Sequence, residues 1–202
     1  MIDISYIISA YKQPLMLRSC LWAIANQTHR HFEAIVTDNS EDRTIQAAHR
    51  QAIMDMKDKR FRYVLTATKL AQVTCYYSAE WAVRHLAKGN WICFPCDDTY
   101  LVPRFAERML AAAYAQNLDM VIAEDVVIGP DAAGGLGGAY QVWRQGVAAT
   151  AKTTMMVRRS AFPGFAKARG DTFIASDREL SREMEKRGAR IGVATGVLVV
   201  HN

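Results

Sequence analysis

The sequence lacks the features of an exported or membrane-spanning protein. No apolar run reaches the roughly 18 residues that a membrane helix needs, and the first residues lack the basic and then apolar layout of a signal peptide. Cysteine is scarce and too unevenly spaced for the disulfide framework of a secreted domain. These absences favour a cytoplasmic protein without an integral membrane segment, and leave peripheral contact with a membrane open.

A strong excess of charge of one sign is also missing. The chain has 25 basic and 20 acidic residues, so its formal net charge is +5. That bias favours anionic partners, but it is below the density of a dedicated nucleic-acid binder. Nucleotide phosphates, acidic lipid headgroups and nucleic acid all stay open as partners. The length of 202 residues, half of them apolar, suits one domain with a full hydrophobic core.

Apolar runs alternate with segments of helical periodicity along most of the chain. This alternation predicts an α/β fold, with a Rossmann-like, mostly parallel central sheet and helices on both faces. After residue 128 the glycine-rich composition changes the pattern, and a smaller α+β region is expected. The predicted strands are 4–9, 32–37, 61–66, 91–96, 119–124 and 191–200. The first predicted helix begins at Pro14 and has Leu17, Leu21 and Ile24 at helical spacing. The other predicted helices are 43–57, 73–87, 103–116 and one that begins after Ser176 and ends at Gly188.

Polar and acidic residues follow the predicted strands. Asp38 ends the second strand, Asp97 and Asp98 follow the fourth, and Ala10 and Tyr11 follow the first. Because ligands collect at the carboxyl ends of parallel strands, we expect these residues along one edge of the sheet. Clustered carboxylates repel each other unless a cation is present. Mg²⁺ or Mn²⁺ would bind both carboxylate and phosphate oxygens, so the edge is a predicted metal and diphosphate site.

Four segments of the sequence resemble the family 2 glycosyltransferases of the GT-A fold. They are ISYIISAYK from residue 4, LWAIANQT from residue 21, FEAIVTDNS from residue 32 and AKGNWICFPCDD from residue 87. The resemblance covers about the first 120 residues well and the remainder weakly. It implies one GT-A domain over residues 1–202, in which 1–125 bind the nucleotide sugar and 126–202 supply the acceptor site and the catalytic base.

The resemblance assigns roles at the predicted edge. It implies that Ala10, Tyr11 and Asp38 hold the nucleotide, with Asp38 accepting a hydrogen bond from a uracil ring. It further implies that Asp97 faces the ribose or the sugar and that Asp98 ligates the metal on the diphosphate. The structural alternatives are a helix-capping role for Asp38 and a solvated acidic turn at Asp97 and Asp98.

Two further residues are candidates in the last part of the chain. Inverting transfer needs a general base for the acceptor hydroxyl, and Asp177, at the start of the last predicted helix, corresponds to the family's catalytic carboxylate. The helix N-terminus favours its ionised form, although acidic residues are common there and Asp171 is near. His201 ends the last strand as a candidate additional metal ligand, with a terminal histidine without a role as the alternative.

The residues around the acidic pair refine the resemblance. Tyr100, Pro103 and Arg104 follow the pair as in the transferase of bacterial spore-coat polysaccharide. Cys96 departs from the family, since many members carry aspartate there, and it leaves fewer carboxylates for a metal. Cys93 and Cys96 also fit the spacing of a redox pair, but they fall in a predicted strand, whereas reactive pairs lie at a helix N-terminus.

These expectations combine into one predicted function: inverting, metal-dependent transfer of a single sugar from a nucleotide diphosphate donor, expected to be a UDP-sugar. The predicted acceptor is a hydroxyl of a glycan or of a lipid-linked molecule. QVWR from residue 141 resembles the motif of processive synthases, but it precedes Asp177 and membrane helices are missing, so non-processive transfer is expected.

Two other functions stay open. One is transfer to a modified base of DNA or RNA, suggested by basic residues in the second half of the chain. The other is a catalytically silent nucleotide-sugar-binding protein, suggested by Cys96 and the short C-terminal half. The basic residues are Arg158, Arg159, Lys167, Arg169, Lys186, Arg187 and Arg190.

Overall fold

The computed structural model describes residues 2–66, 75–127, 141–142, 155–165 and 177–201. Strands and helices alternate through most of these ranges. The strands are β1 (Ile4–Ala10), β2 (Phe32–Asp38), β3 (Phe61–Leu65), β4 (Trp91–Cys93), β5 (Thr99–Leu101), β6 (Met120–Val127), β7 (Gln141–Val142), β8 (Met155–Arg158) and β9 (Ile191–His201). The helices are α1 (Pro14–Ala25), α2 (Arg43–Asp55), α3 (Cys75–His85), α4 (Phe105–Ala115) and α5 (Asp177–Lys186).

All these strands belong to one sheet in the order β3-β2-β1-β4-β8-β6-β9-β5, with β7 paired to β6. β1 pairs in parallel with β2 and β4, and β2 pairs in parallel with β3. Beyond β4 the sheet becomes mixed, because β8 runs antiparallel to both β4 and β6, and β5 runs antiparallel to β9. The predicted α/β class, with a mostly parallel central sheet, is confirmed.

Helices cover both faces of the sheet. Every residue of β1 and β2 is buried, as expected for strands covered on both sides. Alternate residues of β1 point to opposite faces: Tyr6 and Ile8 pack among residues of α1, α2 and α4, whereas Ile7 packs among residues of α3 and α5. The two cores hold the central strands rigidly, and so fix the positions at which those strands end.

The structure corrects the predicted bounds around β4. The strand ends at Cys93 instead of continuing to residue 96, because Pro95 has no backbone N–H to donate to a ladder. The chain rejoins β1 at once, since Ser9 donates its N–H to the Pro95 carbonyl at 3.2 Å and forms an isolated bridge with Cys96. β5 and β8 were not predicted, because three and four residues are too few to show a period.

A buried glutamine joins three parts of the fold. Gln27 is fully buried, and its Nε2 donates to the Ala23 carbonyl at 3.1 Å and to the Val102 carbonyl at 2.8 Å. Its Oε1 accepts the Ala106 N–H at 3.1 Å. One side chain therefore ties the end of α1 to the segment after β5 and to the first turn of α4.

Replacing Gln27 with leucine is expected to lower the free energy of unfolding by about 2 kcal/mol, because buried backbone groups lose their partner. Urea unfolding measures the change. Gln51→Leu is the matched control, since Gln51 is exposed on α2 and bonds only to Asp55 in the described contacts. Equal stability of the two variants would contradict the joining role of Gln27.

Candidate functional site

The carboxyl ends of the central parallel strands meet at one edge, as predicted. Ala10 and Asp38, the last residues of β1 and β2, are partners in the parallel ladder. Asp97 reaches the same edge, because its N–H donates to the Ser9 carbonyl at 3.0 Å. The structure thus brings Ala10, Asp38 and Asp97 together around the end of β1.

The loop after β1 is held between two neighbouring segments. The Tyr11 N–H donates to Asp97 Oδ2 at 2.7 Å, and the Lys12 N–H donates to Ser40 Oγ at 3.2 Å. Lys12 adopts a left-handed backbone with φ of 58°, an uncommon conformation for a residue with a side chain. Tyr11 remains 45% exposed, with Lys12 Nζ 4.7 Å from its ring centroid. A planar ring is therefore available at this edge for stacking.

Asp38 is fully buried and is bonded through both carboxylate oxygens. Oδ1 accepts the Ser40 N–H at 2.8 Å, and Oδ2 accepts the Tyr63 hydroxyl at 2.8 Å and lies 3.0 Å from His49 Nδ1. Burial alone would raise the pKa of Asp38, but the contacts with His49, Ser40 and Tyr63 outweigh it and lower the pKa. The fold therefore keeps Asp38 as a carboxylate.

The helix-capping alternative for Asp38 is wrong. The residue that caps α2 is Asp42, whose side chain accepts the N–H groups of Thr44 and Ile45 at 2.7 and 3.3 Å.

The environment of Tyr63 matches the anionic state of Asp38, because burial and the hydrogen bond to Asp38 raise the pKa of Tyr63 to about 12. Asp38 therefore has no capping role, and the Tyr63 hydroxyl keeps its proton and donates it to the Asp38 carboxylate in a hydrogen bond.

Asp97 and Asp98 are adjacent carboxyl groups, and Asp97 is buried. Burial raises the pKa of Asp97 to about 6; the Tyr11 N–H lowers it, and the charge of neighbouring Asp98 raises it. With 6% exposure Asp97 is not part of a solvated turn, which removes that alternative for this residue. A divalent cation at Asp98 would neutralise the local negative charge, so the pair fits a metal. Within the described ranges, no group of three or more potential ligands gathers.

The two candidates from the last part of the chain are positioned by their backbones. His201 is the last residue of β9 and pairs with Thr99, the residue after Asp98. The sheet therefore brings the backbones of both predicted metal ligands to neighbouring positions. Asp177 is the first residue of α5, as the sequence predicted. The side chains of Asp177 and His201 lie outside the described part of the structure, as do Asp171 and Ser176, so their roles stay predictions.

The Cys93 and Cys96 pair does not have the environment of a redox site. Cys93 is a buried residue of β4, and burial raises the pKa of its thiol, whereas a reactive thiol has a lowered pKa. Cys96 lies in the segment that bridges to Ser9. Both residues therefore belong to the strand and its extension, and neither lies in the first turn of a described helix.

Sequence reasoning missed two side chains that act on Asp38. His49 is fully buried on α2, and Tyr63 lies in the middle of β3. A signal for His49 was present, because it occurs at a core-facing position in the helical pattern that includes Ile45 and Ala52. A histidine on an apolar helix face beside a strand that ends in aspartate could have indicated this contact.

Comparison with known proteins gives the family. Residues 5–133 match the family described as Glycosyl transferase family 2, and this match spans well over half of the chain. The chain belongs to glycosyl transferase family 2, and the predicted enzyme class is confirmed. No curated protein matches the sequence significantly. Among the described helices, none is long and apolar enough to cross a bilayer.

Solved structures support the same fold. The structure of residues 1–349 of S. aureus TarS aligns with a TM-score of 0.73 at 16% identity, covering 100% of this chain and 60% of that one. Its complex with UDP-GlcNAc aligns with a TM-score of 0.68 at 16% identity, covering 98% and 58%. The mannosyltransferase PcManGT from Pyrobaculum calidifontis, in complex with GDP-Man and Mn²⁺, has a TM-score of 0.74 at 14% identity, covering 98% and 56%. This chain spans less than two thirds of each of these structures.

Proposed function

We propose that this chain transfers a single sugar from a UDP-sugar to a hydroxyl of a glycan or lipid-linked acceptor, with inversion at the anomeric carbon. The observation that carries the proposal is the carboxyl edge of the sheet, where a buried anionic Asp38 and the adjacent Asp97 and Asp98 lie around the end of β1. Structures of similar fold were solved with UDP, UDP-GlcNAc and GDP-Man with Mn²⁺, which supports a nucleotide sugar as donor.

The nucleotide is assigned to the ends of β1 and β2. Tyr11 offers an exposed ring for the base, and the Asp38 carboxylate, which is buried in the protein without ligand, would accept a base N–H. Ala10 adds little bulk beside them, and Asp97 lies on the side of the ribose or sugar. A fixed carboxylate can only accept hydrogen bonds, so it selects for a base that has a donor on the edge facing it.

A divalent cation, Mn²⁺ or Mg²⁺, would be held by Asp98 and His201. When bound, such an ion neutralises the charge of the leaving diphosphate. The register of Thr99 with His201 supports this pairing of ligands, and so does the raised pKa of Asp97, to which burial contributes most and the charge of Asp98 contributes less. Cys96 stands where many family members have a carboxylate, so the protein offers few side-chain ligands and the diphosphate oxygens would complete the coordination.

Asp177 is proposed as the general base. The acceptor hydroxyl gives its proton to the carboxylate, its oxygen forms a bond to the anomeric carbon, and the bond from that carbon to the diphosphate oxygen breaks. The electron pair of the broken bond leaves with the nucleotide diphosphate. The start of α5 suits a base, because the partial positive charge of a helix N-terminus stabilises the ionised carboxylate.

A glycan or lipid-linked acceptor is favoured over nucleic acid. Three of the arginines that suggested nucleic-acid binding are ion-paired: Arg158 and Arg190 with Asp119 at 3.2 and 3.7 Å, and Arg187 with Glu183 at 2.8 Å. Paired charges contribute less to phosphate binding than free ones. A lipid-linked acceptor would be reached at a membrane surface, so a cytoplasmic or membrane-peripheral location goes with the proposal.

A thermal-shift screen of UDP-, GDP-, CDP- and dTDP-sugars tests the proposal. A ligand at about a hundred times its Kd stabilises the folded state by about 2.7 kcal/mol, so a rise of several degrees in Tm is expected with a UDP-sugar and Mn²⁺ together. Asp98→Ala should lose the manganese-dependent part of this rise. The control is Asp55→Ala. Asp55 is the last residue of α2 and forms an exposed ion pair with Arg18 of α1, so this variant should keep the manganese-dependent rise. If none of the nucleotide sugars raises Tm, the proposed function is wrong.

A further inference from the structure

One face of α2 packs against the end of β2. Gln46, His49 and Arg50 occupy positions three and four residues apart, so their side chains lie on the same side of the helix. Each contacts a group that surrounds the Asp38 carboxylate. The contacts are Gln46 Nε2 to the Ser40 carbonyl at 2.8 Å, His49 Nδ1 to Asp38 Oδ2 at 3.0 Å, and the Arg50 guanidinium at 4.9 Å from the Tyr63 ring centroid.

Stability alone does not explain a histidine at position 49. The side chain is fully buried, and its Nε2 has no hydrogen-bond partner among the described residues. Its Nδ1 lies 3.0 Å from Asp38 Oδ2, and this contact helps to lower the pKa of Asp38. A buried polar atom without a partner costs about 1–3 kcal/mol, whereas leucine would fill the same space without that cost. The position therefore calls for an interaction that leucine cannot supply.

The contacts of Asp38 limit what else it can accept. A carboxylate has about four acceptor positions. Oδ2 uses two of them for Tyr63 and His49, and Oδ1 uses one for the Ser40 N–H. The Ser40 side chain also bonds to Asp38 and helps to lower its pKa, so a ligand N–H at the fourth position would take the place of the Ser40 hydroxyl. With both oxygens fixed, the carboxylate cannot rotate to suit a different ligand, so it accepts one N–H in one direction.

We propose that His49 is a positioning residue for the nucleotide base: it holds the Asp38 carboxylate so that Oδ1 can receive a ring N–H in place of the Ser40 hydroxyl. This inference rests on the proposed function and deepens it. The arrangement favours uracil, whose N3 carries a hydrogen between two carbonyl groups. It disfavours cytosine, whose N3 is itself an acceptor and would repel the carboxylate.

Two amide replacements separate the nitrogen positions of the imidazole. The amide nitrogen of asparagine lies close to the place of Nδ1, whereas that of glutamine lies close to the place of Nε2. His49→Asn should therefore keep the contact with Asp38, and His49→Gln and His49→Leu should lose it. Titration calorimetry with UDP and with CDP, both without turnover, gives the two dissociation constants for each variant.

We expect His49→Leu and His49→Gln to bind UDP about tenfold more weakly than the wild type, while CDP binding changes little. The preference for UDP over CDP should fall by the same factor, and His49→Asn should retain most of it. A purely structural role would lower Tm in all three variants and leave the preference unchanged. That unchanged preference would overturn the inference.

The outcomes also separate this inference from the proposed function. If the wild type binds no nucleoside diphosphate, the proposed function itself is wrong. If it binds UDP and every His49 variant keeps the wild-type preference over CDP, only the positioning role is wrong. Should His49→Leu fail to fold, the comparison of His49→Asn with His49→Gln decides, because both keep a polar amide and differ in where its nitrogen lies.

Discussion

Replacing Asp177 with asparagine is expected to lower kcat about a thousandfold while leaving the affinity for the donor unchanged. General-base catalysis contributes roughly 10²–10⁴ in rate, and asparagine has the size of aspartate but cannot take up a proton. The base acts on the acceptor hydroxyl, so it has no contact with the nucleotide to lose. Steady-state transfer assays give kcat, and calorimetry with the nucleoside diphosphate gives the affinity.

Glu179→Gln is the matched control for Asp177. It removes the same charge two residues further along α5, from a side chain whose partner is the exposed Arg182 at 2.7 Å. This variant should keep wild-type kcat. If Asp177→Asn keeps it as well, the base lies elsewhere, and Asp171 becomes the next residue to replace. If the wild type binds the donor yet transfers nothing to any acceptor, the silent-binding alternative is favoured.

The parallel half of the fold could be predicted because its signals are local. β1 and β2 are mainly apolar runs whose every residue is buried, and each is followed by a segment of helical period. The alternation of strands and helices also predicted that Ala10, Asp38 and Asp97 lie close together, because the carboxyl ends of parallel strands share an edge. Ala10 and Asp38 depend only on where their strands stop, whereas Asp97 also needs the bridge between Cys96 and Ser9.

The rest of the site depends on contacts between distant parts of the chain. The register of Thr99 with His201 joins strands about a hundred residues apart, and a three-residue strand such as β5 has no period of its own. The contact of His49 with Asp38 requires the packing of α2 on the sheet, which helical spacing indicates only as a buried face. Local pattern thus predicts which residues reach the edge, and tertiary packing decides what surrounds them.

At the opposite end of the sheet, Gly89 lies against the start of β1. A Cβ at Gly89 would lie 2.5 Å from the Ser5 nitrogen and 2.6 Å from the Ile4 carbonyl carbon, both backbone atoms. The Gly89 N–H donates to Ser5 Oγ at 2.8 Å, and that hydroxyl donates to the buried Glu33 at 2.7 Å. Glu33 also accepts the Lys88 N–H at 2.6 Å. Side chains can rotate away from an added methyl group, but the ladder of β1 cannot move without losing these bonds.

We therefore expect Gly89→Ala to lower the free energy of unfolding by about 3 kcal/mol or more. Gly188→Ala is the control: Gly188 has φ of 75°, but nothing lies within 4 Å of the added Cβ, so only the backbone cost of about 1 kcal/mol applies. Urea unfolding of both variants measures the difference. If Gly89→Ala is no less stable than Gly188→Ala, β1 can shift at its start, and the rigid placement of its far end, on which the site at Ala10 and Tyr11 depends, would need another cause.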